Sequence, residues 1–367
     1  MKGLKNIDFY KRNDFWIRLS LSILFISIFL IVFFYCGGTY YFIDTKTVDE
    51  FIGDEFQFHV IDVGQADSML LIFPDDTSML IDAGSEDEGE TVASYVKRIL
   101  KQEKIDELDY MLLTHQDADH IGGACTVLNE INVNTIFRPK VYAKIEVELG
   151  LNTEDYKVQE SQIYNDVIET AINKGCQFIF SERGLTYNFG GCSLEFLSPG
   201  EDTYSNSNNY SAVVMATYQS KKILFMGDSE QMIEEDLVDV YGDYLKADIL
   251  KVAHHGSASS SSKEFLELVK PQYAIICARA NADLPNASVL NNLNDVGAVV
   301  LSTALDGSFA FSIENQEIKY SYINTPNVDI ALLISITVLL LILTWGIRFK
   351  IKKHKPQKIE LKEDLNE

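Results

Sequence analysis

At 367 residues the chain can hold one large domain or two ordinary ones, with ample length for a core. Its formal net charge of −23 argues against tight, nonspecific binding to nucleic acid. Five cysteines (Cys36, Cys125, Cys176, Cys192, Cys277) without CxxC spacing give no thiolate metal motif; the last four read as small buried hydrophobes, with a disulfide among them left open.

Residues 1–18 form a basic N-terminus. An apolar run at 19–37 follows, uncharged from Leu19 to Tyr35 and long enough to cross a bilayer as a helix. A second run at 328–347, apolar from Ile330 to Ile347, is closed by Arg348 and followed by the tail 348–367. A cleaved signal peptide is the rival reading of the first run, but no clean small-x-small site follows it. Residues 1–20 hold five Lys/Arg and 348–362 hold seven, whereas Lys46 stands alone between Cys36 and Glu55. The positive-inside rule therefore predicts a cell-membrane protein with both termini cytoplasmic and the middle outside the cytoplasm. The segments 1–20 and 328–367 sum to +3 and +2, which leaves residues 21–327 at −28.

After a polar, acidic linker at 38–55, residues 56–325 alternate between strand and helix patterns. Residues 56–63 alternate and turn at Gly64; 68–73 and 78–81 pair across Pro74-Asp75-Asp76. Residues 90–101 carry Val92, Tyr95, Val96, Ile99 and Leu100 at helical spacing. A buried strand at 108–113 leads into a helix over 121–129. The stretch 138–184 is the least readable, with a helix over 159–173 and a strand at 177–180. Strands are expected at 185–189, 192–197, 211–218, 221–226, 248–252, 273–277, 298–301, 308–313 and 318–322. Helices are expected at 230–240, 263–269 and 286–294. Strand-rich halves interleaved with helices predict an α+β fold of two packed sheets with helices outside.

The chemistry concentrates between 112 and 123, in Leu-Leu-Thr-His-Gln-Asp-Ala-Asp-His-Ile-Gly-Gly. Two imidazoles and two carboxylates crowd a strand-to-helix junction, where they repel or lose solvation unless a cation joins them. A solvated acidic turn is the alternative for this stretch alone. Four of the six histidines fall in two places, His115 with His120 and His254 with His255, and Asp228 follows another strand. All three places are strand ends followed by a glycine or a helix start. Imidazoles and carboxylates converging from separate strand ends make a metal site with open positions, as hydrolysis needs.

The order of these motifs resembles the metallo-β-lactamase superfamily, most of all the hydrolase domain of ComEC-type competence proteins. Asp62-Val63-Gly64-Gln65-Ala66-Asp67-Ser68 is similar to that branch's DVGQGDS, and Leu80-Ile81-Asp82-Ala83-Gly84 matches LIDAG. Thr114 to Gly123 matches SHPDADHIGG, and Asn208-Asn209-Tyr210-Ser211-Ala212-Val213-Val214 is similar to NNxSLVL. Gly227-Asp228 matches GD, and Leu250 to Ser257 matches LKVxHHGS. The resemblance covers roughly residues 56–313 and implies an αββα sandwich, here flanked by one transmembrane helix at each end.

Carried over, the resemblance implies that His115 and Asp117 bind one divalent metal. Asp119, His120 and one of His254/His255 bind a second, Asp228 bridges them, and Asp82, with Asp62 and Asn209, supports the site. Where the superfamily more usually has His, this chain has Asp117, and another usual His is missing near Asn209. The first position is therefore oxygen-rich, which shifts preference from zinc toward manganese or magnesium, with manganese favoured over zinc. The implied reaction is phosphoester hydrolysis by a water whose pKa the metal lowers. Asp119 would orient that water. Lys251 and the unliganded member of His254/His255 would contact substrate oxygens or the leaving group, unless Lys251 is a surface strand residue. Two departures stand out: Ala66 replaces a glycine, and Leu284 replaces the histidine of the branch's N-x-x-GHP.

The expected function is thus a membrane-anchored, extracytoplasmic metal-dependent phosphodiesterase or nuclease acting on single-stranded or duplex DNA. Two spans cannot form a translocation pore, so a separate DNA-uptake channel would be its partner. The alternatives are a phosphorylcholine-type esterase for cell-envelope phosphodiesters and a non-catalytic membrane sensor or assembly protein that retains the fold.

Overall fold

The computed structural model describes residues 55–279 and 283–323, together with residue 15, residues 19–26 and residue 337. Two compact units are distinguished: Lys46–Asn324, and Met1–Thr45 with Thr325–Glu367. The tails and the expected spans at 19–37 and 328–347 lie almost wholly outside the described residues. Residues 19–26 are helical, and among the described residues no helix is long and apolar enough to cross a membrane.

The larger unit begins with β1 (Phe56–Val60), β2 (Met69–Ile72), β3 (Ser78–Ile81), α1 (Gly89–Glu103) and β4 (Leu108–Leu112). It continues through α2 (Ala118–Ile121), α3 (Ala124–Glu130), β5 (Val133–Arg138), β6 (Val141–Ala143), α4 (Lys144–Glu148) and β7 (Lys157–Gln159). Then come α5 (Gln162–Lys174), β8 (Gln177–Phe180), β9 (Thr186–Phe189), β10 (Cys192–Ser198), β11 (Val213–Tyr218), β12 (Lys221–Phe225) and α6 (Gln231–Tyr241). The last elements are β13 (Ile249–Lys251), α7 (Lys263–Val269), β14 (Tyr273–Ile276), α8 (Ala287–Asp295), β15 (Val299–Ser302), α9 (Thr303–Asp306), β16 (Ser308–Glu314) and β17 (Glu317–Ile323).

One sheet has the order β17-β16-β1-β2-β3-β4-β5-β8 and the other β15-β14-β13-β12-β11-β10-β9. Successive side chains on a strand point to opposite faces, so each apolar strand feeds two cores. Leu70, Leu80 and Met111 pack with Val92 and Val96 of α1, Val127 of α3 and Val167 of α5. Their neighbours Leu71, Met79 and Leu112 face Phe196, Val214 and Phe225 of the other sheet. Leu224 and Leu250 close the far side with Ile233 of α6 and Phe265 of α7. Three apolar layers between four structural ones make the expected αββα sandwich. Fully burying each such side chain stabilises the fold by about 1.5–3 kcal/mol.

Two differences from the sequence pattern matter for the site. The expected helix at 121–129 is two helices, and its first turn starts earlier, so Asp119 and His120 lie on α2 rather than on a loop. Gly122 and Gly123 separate the two: a Cβ on Gly123 would stand 2.2 Å from the Ala83 carbonyl oxygen. That close approach lets Ala83 N donate to His120 O at 2.7 Å, fastening α2 to the end of β3. The poorly readable stretch adds a small parallel ribbon, β6 with β7, and the short α4. Cys125, Cys176, Cys192 and Cys277 are free thiols, so no disulfide forms among the described residues.

Candidate metal centre

β3 and β4 are parallel neighbours in one sheet, as are β12, β13 and β14 in the other. Their C-terminal ends deliver, in order, Asp82, Thr114–His120, Asp228, His254/His255 and Cys277. Crevices beyond the carboxyl ends of parallel strands are the usual ligand sites of such sheets.

Asp119, His120, Asp228 and His255 meet there, each offering a ligand atom within 4.8 Å of the others. His255 Nε2 lies 3.3 Å from Asp119 Oδ2 and 3.7 Å from Asp228 Oδ2. His120 Nε2 faces Asp228 Oδ1 at 3.1 Å. Both of those atoms, and His115 Nε2, are buried without a hydrogen-bond partner among the described residues. Buried polar atoms are rarely left so, and acceptor atoms converging on one point are what a divalent cation satisfies. The donor set therefore fits a metal.

Second contacts hold these rings in place. His120 Nδ1 is 2.7 Å from Asp82 Oδ2, and Thr114 donates to Asp82 from both its amide (2.8 Å) and its hydroxyl (2.7 Å). His255 Nδ1 lies 2.9 Å from the Cys277 carbonyl oxygen. A ring nitrogen donating away from the site leaves the other as the ligand. Asp82→Ala is expected to weaken metal binding about 10–100-fold, read by competition with a chelator of known affinity. An unchanged affinity would remove Asp82 from this role.

His254 and His255 adopt left-handed backbone, with φ of 49° and 50°. Such conformations cost roughly 1–3 kcal/mol each in a non-glycine residue and gather at functional sites. The turn separates the two rings: His255 is buried in the cluster, whereas the side chain of His254 is 26% exposed. His254 Nε2 is 3.8 Å from Asp228 Oδ2, and its Nδ1 lies among Ser259 Oγ, Asn208 Nδ2 and Glu230. His255 is thus the member whose ring enters the cluster.

Burial alone would lower the pKa of His120, yet the charges of Asp228 and then Asp82 raise it well above its ordinary value. His255 is raised against burial by Asp228, Asp119 and Asp67. Burial opposes ionisation of Asp228 and Asp119; the imidazoles reverse this, holding Asp228 well below the carboxylate range and Asp119 at about 2. The carboxylates around His120 and His255 thus favour the charged imidazoles, and a cation binding there competes with those protons.

His115 and Asp117 stand beside this cluster, not in it. His115 Nε2 is 3.7 Å from Asp117 Oδ2, and Ser207 donates to that carboxylate at 3.0 Å. Burial opposes ionisation of Asp117, but its contacts with His115 and Ser207 hold the carboxyl below its ordinary range. Asn209 accepts the Glu230 amide at 3.1 Å and pins the loop after Asp228. Asp62 accepts the Gly64 amide at 3.2 Å and closes a turn, making no hydrogen bond to the cluster among the described residues.

Lys251 corrects both expectations for it. It is wholly buried, its Nζ 2.7 Å from Asp67 Oδ2 and 2.9 Å from the Val252 carbonyl, so it is neither a surface residue nor exposed to substrate. Asp67 is the residue the sequence reading left without a role. Its carboxylate also approaches His255 Nδ1 at 3.5 Å, and its amide donates to the Asp119 carbonyl at 3.2 Å. The signal was its place in the quoted Asp62–Ser68 motif. Near His255, Asn286 N donates to Gly256 O at 2.8 Å, which ties the residues just after Leu284 to the turn that carries the two histidines.

The family model described as the metallo-beta-lactamase superfamily matches residues 61–280, more than half of the chain. The chain belongs to this superfamily. Among curated relatives, ComE operon protein 3 of Bacillus subtilis is 29% identical over 280 residues, covering 72% of this chain and 34% of that protein. Recombination protein 2 of Haemophilus influenzae is 28% identical over 256 residues, covering 69% and 28%. Competence protein ComA of Neisseria gonorrhoeae is 29% identical over 214 residues, covering 58% and 26%. The chain spans about a third or less of the length of these relatives. Metal-dependent hydrolysis is the general chemistry of the metallo-beta-lactamase fold, and the cluster supplies donors suited to a divalent metal.

Proposed function

We propose that this protein is a membrane-anchored, extracytoplasmic metal-dependent phosphodiesterase of the nuclease type, working beside a separate DNA-uptake channel. The observation that carries the catalytic part is the convergence of Asp119, His120, Asp228 and His255 with orphaned buried acceptor atoms. Likeness to competence proteins supports the DNA-uptake setting. The apolar runs at 19–37 and 328–347, with their cation-rich flanks, support the anchoring and orientation.

Asp119, His120, Asp228 and His255 would hold one ion, and His115 with Asp117 a second, weaker one beside it. When bound, a divalent cation lowers the pKa of an attacking water and neutralises charge on the phosphoryl oxygens. The oxygen-rich second position favours manganese over zinc. Asp119, the half-exposed carboxylate of the cluster, orients the water toward phosphorus. His254, partly exposed with Nε2 toward Asp228, would meet the leaving oxygen. Lys251 and Asp67 position His255 from beneath.

A second substrate reading is favoured by one observation: the charge of −28 over residues 21–327 repels a long polyanion, whereas a short envelope phosphodiester meets it less. The test is turnover of bis-p-nitrophenyl phosphate by the full-length protein loaded with Mn, Zn or Mg, followed by DNA and phosphorylcholine diesters. Turnover above an Asp119→Ala control is expected. None would leave a non-catalytic sensor that keeps the fold.

A further inference from the structure

From the geometry around Gly64 we infer that Arg279 is the anion-recognition residue of this site, holding a non-bridging oxygen of the phosphodiester. The inference rests on the hydrolase reading above and names what selects its substrate. Arg279 follows β14, two residues after Cys277, whose carbonyl oxygen meets His255 Nδ1 at 2.9 Å. Cα atoms two residues apart lie at most about 7 Å from each other, so Arg279 leaves β14 close to the carbonyl that holds the His255 ring.

Its guanidinium is seated rather than loose. A Cβ built on Gly64 would lie 3.3 Å from both Nε and Nη2 of Arg279. Gly64 has φ +73°, a conformation glycine adopts without strain, and it lets the guanidinium lie against the turn that Asp62 closes. Three residues on, that same loop delivers Asp67 to His255 and Lys251. The guanidinium thus joins the segment after β14 to the loop that carries Asp67, and each of these meets His255.

Its charge is unspent. Arg138, Lys140 and Arg183, which also sit at strand ends on this side, are each paired with a carboxylate: Glu146, Glu182 and Asp236. Lys251 is paired with Asp67. Arg279 is exposed, and among the described residues no carboxylate lies within ion-pair distance of it. In a segment carrying −28, an exposed guanidinium without a carboxylate partner beside a carboxylate-rich centre offers an incoming anion its local attraction. A guanidinium forks onto two oxygens of a phosphate, which suits it to a singly charged diester better than to a neutral ester.

The test uses full-length protein loaded with Mn, inorganic phosphate as the binding probe, and bis-p-nitrophenyl phosphate as the substrate. Arg279→Ala is expected to weaken phosphate binding and to raise KM about tenfold or more, with kcat and metal content nearly unchanged; Arg279→Lys recovers part of the loss. Equal phosphate affinity and KM in wild type and Arg279→Ala overturn the inference, as does a metal-loaded wild type that binds no phosphate. Arg279-dependent phosphate binding without turnover of the diester would keep the inference and remove the hydrolase reading.

Discussion

Asp228→Ala is expected to lower kcat on bis-p-nitrophenyl phosphate by at least about a thousandfold, equivalent to about 4 kcal/mol of transition-state stabilisation. Asp228 stands among three imidazoles. Its two oxygens lie 3.1 Å from His120 Nε2, 3.7 Å from His255 Nε2 and 3.8 Å from His254 Nε2. It follows β12 in one sheet and joins ligands that follow β4 in the other, so removing it leaves His255 with Asp119 as the remaining link between the two halves of the cluster. A thermal melt separates loss of the site from loss of the fold. Added Mn or Zn should raise the wild-type Tm, because a ligand that binds only the native state stabilises it. The variant should melt cooperatively and show no such rise. A variant that keeps both turnover and the metal-dependent rise would place the metal elsewhere.

Lys251→Met is expected to carry the largest cost in stability. Both members of the Lys251–Asp67 pair are wholly buried, and removing one partner of a buried pair typically costs about 3–5 kcal/mol by leaving the other charge uncompensated. Burial alone would lower the Lys251 pKa, but Asp67 raises it above the ordinary value, so the ammonium keeps its charge. The double variant Asp67→Asn with Lys251→Met removes both charges and should recover much of the loss in denaturant unfolding. The link also joins the sheets, Lys251 from β13 and Asp67 from the β1–β2 loop. The double variant should therefore still lose turnover, because His255 loses the carboxylate beside its Nδ1. Recovery of stability together with full activity would reduce the pair to a core feature.

The layers of this fold are legible locally. Leu70-Leu71, Met111-Leu112 and Leu224-Phe225 are runs whose successive residues enter different cores, and such runs read as strands buried on both faces. Asp82, His115, Asp228 and the His254-His255 pair were visible because each follows an apolar strand, and His120 because it stands five residues after His115. What was not visible depends on contacts far apart in sequence. Asp67 meets Lys251 across the sandwich, and neither residue's neighbours announce the pairing. Which of two adjacent histidines enters the cluster is set by their left-handed backbone, which residue type does not encode. The ribbon β6–β7 escaped notice because Lys157–Gln159 is short and polar, with no apolar alternation to report it.

The most direct test of the central claim is a metal titration of the full-length protein beside His255→Ala and His254→Ala. The wild type should bind a divalent cation with a release of protons, as His120 and His255 give theirs up. His255→Ala should lose that tight binding, and His254→Ala should retain it while losing turnover. Equal binding by all three proteins would contradict a centre built from Asp119, His120, Asp228 and His255.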